Sequence, residues 1–135
     1  MKYRVIWCCG CNGETEARLT TGVEIYPHRR DISDLPFWRC DKCGNFVGCH
    51  HKTDDKTRPL GCLPTPEIKA ARQHIHRILD PIWKSGRMSR GKVYALLSQK
   101  MGREYHTAEI KTVEEAREVY RHIAELDRSL TGTTP

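Results

Sequence analysis

Two Cys-x-x-Cys pairs, Cys8 with Cys11 and Cys40 with Cys43, constrain this chain more than any other feature. Each spacing sets two sulfurs on one tight knuckle, and two knuckles together can surround a tetrahedral ion at about 2.3 Å per Zn–S bond. Four thiolates select zinc or iron, and with no other redox-cofactor motif in the sequence the choice falls on redox-inert Zn²⁺. The expected cofactor is one structural Zn²⁺. A shell closed by four protein ligands leaves no position for a reacting water, so the ion is expected to staple a lobe too small to fold alone. Gly10, Gly13 and Gly44 fit such knuckles, because turns that aim amides at sulfur often need positive φ.

The stretch between the pairs, residues 12 to 39, is 28 residues long. It exceeds the roughly 15–20 residues of common zinc ribbons and predicts a long hairpin or loop through Arg29 and Arg30. Cys9 makes a poorer knuckle with Cys11 than Cys8 does and is left out of the ligand set. Cys49 and His50 are candidate additional ligands, against the plainer reading of loop residues beside the metal lobe. Cys62 reads as a small buried apolar residue.

Among the 135 residues, 38% are hydrophobic and 30% charged, with both signs scattered, which describes a globular chain. No apolar run reaches the roughly 18 residues of a membrane span, and MKYRVIWCCGC lacks the features of a signal peptide. A cytoplasmic location is expected, where paired cysteines bind metal more often than they form disulfides. The net charge of +6 becomes about +4 once four thiolates and one Zn²⁺ are counted.

All seven cysteines fall before residue 63, among short β-type runs at Tyr3 to Trp7, Ala17 to Tyr26 and Phe37 to Arg39. The expected fold is α+β. A four-cysteine zinc ribbon spans residues 1–63, a three-helix lobe 64–130 and a flexible tail 131–135. The first helix starts with Thr65 as cap and Pro66 at the first position, carries an apolar stripe from Ile68 to Ile82, and kinks or restarts near Leu79 and Asp80 because of Pro81. Ser89 caps the second, which buries Val93, Leu96, Leu97 and Met101 and stops at Gly102. Thr112 and Glu115 form a capping box for the third, with Ala116, Val119, Tyr120, Ile123 and Leu126 on its apolar face.

The segment WRCDKCGNFVGCH, the following RPLG, the helix pattern Arg72, His76, Asp80, Trp83 and the pair Arg90, Tyr94 together resemble a family of small zinc-finger-containing proteins of unknown function from bacteriophages and bacteria. The likeness covers nearly the whole chain and departs from the pattern at Cys9 and Cys62. It implies a zinc ribbon joined to helices in a bacterial cell or phage-infected host, and no reaction.

Three functions fit these residues. A nucleic-acid-binding adaptor would use Arg29, Arg30, Lys84, Arg87, Arg90 and Lys92 on phosphates, with Trp38 or Tyr26 stacking on a base. A protein-interaction module would dock on a host or phage protein. A nuclease would need His50, His51, Asp54 and Asp55 as a second metal cluster. The sequence holds no phosphate-cradling loop, Ser-His-Asp arrangement or nucleotide fingerprint, so binding rather than catalysis is expected.

Overall fold

Alternating polar and apolar positions fold the N-terminal part of the chain into an antiparallel sheet. The computed structural model, which describes residues 2–131, has strands β1 (Tyr3–Cys8), β2 (Gly13–Thr21), β3 (Pro36–Arg39) and β4 (Phe46–Gly48) in the order β1-β2-β3-β4. Register pairs Ile6 with Thr15, Leu19 with Trp38 and Trp38 with Val47. One face of the sheet therefore gathers Ile6, Cys8, Ala17, Trp38, Cys40, Val47 and Cys49, which pack with Leu63 into a small core. Leu63 is tied to the end of β1, its N–H donating to Trp7 O and its carbonyl accepting from Cys9 N, each at 2.8 Å.

The run expected from Ala17 to Tyr26 begins earlier and stops at Thr21, where Gly22–Ile25 forms a one-turn helix, α1. Gly22 explains the change. Its N–H bonds to Leu35 O at 3.0 Å, and a Cβ there would stand 1.9 Å from Ile32 O, so the chain folds back against a segment only glycine admits. This insertion, with a 3₁₀ turn at Arg30–Ile32, fills the long spacing between the cysteine pairs.

Chain contacts divide the protein into two compact units, one up to Pro66 and one from Glu67. The second contains α2 (Pro66–Lys84), α3 (Arg90–Met101) and α4 (Val113–Thr131), so the fold is α+β as expected. Their apolar faces build a core of Ile75, Leu79, Ile82, Val93, Leu97, Tyr105, Ile110, Ala116, Val119 and Ile123. Full burial of each large aliphatic contributes about 1.5–3 kcal/mol. Ser89 caps α3 by accepting from Lys92 N at 3.2 Å, and Gly102 closes it with φ of 73°. Thr112 accepts from Glu115 N at 3.0 Å, while the Glu115 carboxylate reaches Lys111 N at 2.9 Å, one residue before its usual target.

Two expectations for the helices are corrected. Of the kink or restart expected at Pro81, the restart is absent, because α2 is one helix from Pro66 to Lys84. Pro81 lies near the C-terminus, its carbonyl still accepts from Ser85 N at 3.0 Å, and the fully buried Ile82 holds the last turn in place. Tyr120 leaves the buried face of α4, being 44% exposed, and stacks on His74 with ring centroids 5.6 Å apart. The expected tail lies outside the described residues after Thr131, which is still helical.

Arg72 is buried on α2 and donates through Nε and a terminal nitrogen to Ile110 O at 3.1 and 2.7 Å, while His76 bonds Asp80 at 3.2 Å. Arg72→Met keeps the apolar stem but strands a buried carbonyl, and should lower the stability of the helical unit by about 2 kcal/mol. Urea unfolding followed by circular dichroism measures it, and a loss below about 0.5 kcal/mol would remove Arg72 from the framework.

Candidate metal centre

Both knuckles sit at hairpin turns on the same end of the sheet. Cys8 ends β1 and Cys11 lies in the turn to β2, whereas Cys40 follows β3 and Cys43 precedes β4. Pairing of β2 with β3 brings the turns together. The four sulfurs then lie within 4.8 Å of one another, with Cys11 Sγ 3.7 Å from Cys40 Sγ and 3.1 Å from Cys43 Sγ.

Local sequence shapes each turn differently from expectation. Gly44 has φ of 78°, and the second knuckle closes through Gly44 N to Cys40 O at 2.7 Å and Cys40 N to Asn45 O at 2.8 Å. In the first knuckle the left-handed position is Asn12, with φ of 53°, rather than a glycine. Gly10 gives the second knuckle room instead. A Cβ there would stand 2.5 Å from Asn45 Nδ2 and 3.1 Å from Cys43 Sγ, so both side chains would have to shift. Gly13 has open space around it.

Polar groups approach two of the sulfurs. Asn45 Nδ2 lies 3.8 Å from Cys8 Sγ, and the Thr15 hydroxyl lies 3.7 Å from Cys40 Sγ. Burial alone would push the Cys40 thiol up, but the backbone amides of Cys43 and Lys42 and the Thr15 hydroxyl outweigh it and leave Cys40 at about 7. Cys11 is pushed up to about 12, chiefly by its hydrogen bonds to Cys43 and Cys40 and then by burial. One sulfur of the set ionises readily and a neighbour resists, as expected where several thiols crowd together without a cation.

Arg18 on β2 secures the second knuckle from outside. It bonds both Asp41 oxygens at 2.9 Å and both Glu24 oxygens at 2.9 and 2.8 Å, and these bonds hold each carboxyl down at about 2. The guanidinium thus links the residue after Cys40 to β2 and to α1.

The donor set fits Zn²⁺. A tetrahedron with bonds of about 2.3 Å has edges of about 3.8 Å, which matches the 3.7 Å between Cys11 and Cys40 and lies between the 3.1 Å from Cys11 to Cys43 and the 4.8 Å that bounds the set. Cys8 and Cys40 are fully buried while Cys43 is exposed, so the set lies at the surface end of the ribbon core.

Other candidates are placed elsewhere. Cys49 is buried in the ribbon core, where loss of water raises its thiol to about 11, and His50 lies in the following loop. Neither joins the four-sulfur group, and among the described residues His50, His51, Asp54 and Asp55 form no second group of metal donors. Cys62 is buried, and Cys9 is half-buried beside Leu63. Trp38 is not available to a base: it is 3% exposed and its Nε1 donates to Thr57 O at 2.6 Å. Tyr26 packs edge-on against Phe37 and Phe46. Arg29 pairs with Asp31 at 2.7 Å, and Arg30 opens the 3₁₀ turn. Lys84, Arg87, Arg90 and Lys92 flank the α2–α3 turn in sequence and are all exposed. Thr15 and Asn45 approach sulfur without any mark in the sequence, since nothing in their spacing identifies a donor.

Residues 4–126 match the family model of a zinc-finger-containing domain. No curated protein and no solved structure matches the chain. No helix among the described residues is long and apolar enough to cross a membrane.

Cys40→Ser should abolish zinc retention and the ribbon's melting transition, because metal-binding free energy there is also folding free energy. Cys49→Ser should keep the zinc content of the parent protein. Metal analysis after gel filtration measures both, and full zinc in Cys40→Ser would dismiss the four-sulfur site.

Proposed function

The chain belongs to a family of zinc-finger-containing domains, and from that premise we propose that it is a zinc-stabilised binding protein, an adaptor that contacts nucleic acid. One Zn²⁺ held by Cys8, Cys11, Cys40 and Cys43 supplies the ribbon's stability. The observation that carries this reading is the closed set of four sulfurs. Four thiolates around zinc leave no open position for substrate or water, so the metal's work is to hold a surface in shape. Thr15, Asn45 and the Arg18 pairs with Glu24 and Asp41 orient the sulfurs and the turn that bears them.

A nucleic-acid partner is supported by the positive balance, +6 in the polypeptide and about +4 with the zinc site loaded. Exposed cations at the α2–α3 turn supply groups suited to phosphate. A second reading, a module that docks on a host or phage protein, is favoured by one feature. Tyr3 and Val5 sit on the same face of the edge strand β1 and are 55% and 57% exposed.

Affinity capture from a bacterial lysate, with and without nuclease, separates the two. The adaptor reading expects bound material to disappear on nuclease treatment and to fall steeply as salt rises. A stoichiometric protein that stays bound after nuclease treatment would overturn it in favour of docking. X-ray absorption of the purified protein should find one zinc per chain with four sulfur neighbours at about 2.3 Å.

A further inference from the structure

Charge is distributed unequally along this chain. Residues 81–103 contain Lys84, Arg87, Arg90, Lys92, Lys100 and Arg103 and no Asp or Glu. Taking these six from the 23 basic residues leaves 17, the same as the number of acidic residues in the rest of the chain. The whole excess of +6 therefore equals the charge of one segment, the end of α2, the turn and α3.

The two compact units differ in the same way. Up to Pro66 there are ten basic and eight acidic residues, an excess of +2 that four thiolates and Zn²⁺ would reduce to zero. From Glu67 onward there are 13 basic and nine acidic residues, an excess of +4. Arg29 and Arg30 on the ribbon have Asp31 and Asp34 as near neighbours in sequence, and Arg29 is paired with Asp31. These carboxylates offset the charge of the two arginines locally.

Around the α2–α3 turn the cations are both accessible and braced. Arg87 pairs with Asp127 at 2.8 Å and Arg103 with Glu115, but among the described residues no carboxylate pairs with Lys84, Arg90, Lys92 or Lys100. Lys84 Nζ lies 5.6 Å from the centroid of the Trp83 ring, and Arg90 Cζ lies 5.7 Å from Trp83 and 4.5 Å from Tyr94. Rings at these distances hold cations through their negative faces without neutralising them. Such bracing reduces the side-chain entropy lost when the cations engage a ligand. The first turn of α3 carries no acidic residue, so its dipole reinforces the positive potential.

We propose that the α2–α3 turn, through Lys84, Arg90 and Lys92, is the phosphate-binding face of this protein and grips the sugar–phosphate backbone of nucleic acid, while Arg29 and Arg30 on the ribbon take no part. The inference rests on the nucleic-acid reading and assigns it to one surface. Contacts of this kind position a strand without reading its bases, so affinity should depend on salt far more than on sequence.

Fluorescence anisotropy with a labelled 30-nucleotide single strand and the corresponding duplex tests it on the zinc-loaded full chain. The variant carrying Lys84→Gln, Arg90→Gln and Lys92→Gln should bind at least about tenfold more weakly at low salt, and its plot of log affinity against log salt should be shallower by about 2–3. Arg29→Gln with Arg30→Gln should stay within about twofold of the parent, since its charges are locally compensated. All three replaced residues at the turn are exposed, so zinc content should be unchanged and the melting temperature should fall only slightly, by the loss of the Lys84 and Arg90 ring contacts. The ratio of the two probes tells whether the phosphates belong to a single strand or a duplex. If the turn variant bound like the parent while the Arg29/Arg30 variant lost affinity, the inference would fail and the nucleic-acid reading would stand. If the parent bound neither probe, both would fail.

Discussion

Crowding of four sulfurs at one end of a small sheet is the constraint on which the ribbon depends. Like-charged thiolates within 4.8 Å repel, and neutral thiols at that end of the sheet contribute little cohesion. A divalent cation turns the repulsion into a cross-link between two hairpins. The need for it is visible in the ribbon core, whose buried large aliphatics among the described residues are Ile6, Val47 and Leu63, joined by Trp38 and by the partly buried Leu19. Such a core offsets little of the chain entropy of some sixty residues. Its polar groups serve the same end: Thr15 and Asn45 approach the sulfurs, and Arg18 ties the second knuckle to the strand behind it.

The helical unit is stabilised differently. Ten buried residues, most of them branched aliphatics, come from three helices and the segment before α4. Helix caps at Ser89 and Thr112 and the buried bond from Arg72 to Ile110 set the ends and the spacing. Tyr105 completes the packing of that segment, with its hydroxyl 2.7 Å from Thr107 Oγ1 and its amide bonded to Ser98 at 2.9 Å. Nothing in this arrangement calls for a metal, which agrees with the confinement of all cysteines to the other unit.

What the sequence made legible was whatever rests on a local rule. Cysteine spacing, the capping residues, Gly102 and the helical periodicities each act within a few residues, and the corresponding elements appear in the structure. Less legible were features that depend on tertiary neighbours. Gly10 and Gly44 look equivalent in sequence, yet one answers a backbone dihedral and the other a close approach by Asn45 and Cys43. The break at Gly22 depends on the carbonyl of Ile32, ten residues on. Tyr120 fits the helical stripe by spacing but finds a better partner in His74. Pro81 fails to break its helix because Ile82 is anchored by the core beyond it. Cys49 and Trp38 carry reactive or stacking chemistry as residue types, but burial assigns both to packing.

These contrasts separate stability from recognition. Zinc would leave the ribbon with no net charge, because its four thiolates cancel both the ion and the small basic excess around it. A neutral ribbon exerts little long-range attraction on a polyanion, whatever its fold shares with other zinc modules. The surplus cations belong instead to a unit whose own apolar core keeps it folded, where charge can collect at one turn without burdening a metal site. That division also explains why Trp83 and Tyr94 carry cations on their rings while the ribbon aromatics Tyr26, Phe37 and Phe46 pack against one another. In the ribbon the aromatic surface goes into cohesion; in the helical unit part of it holds positive charge in place at the surface.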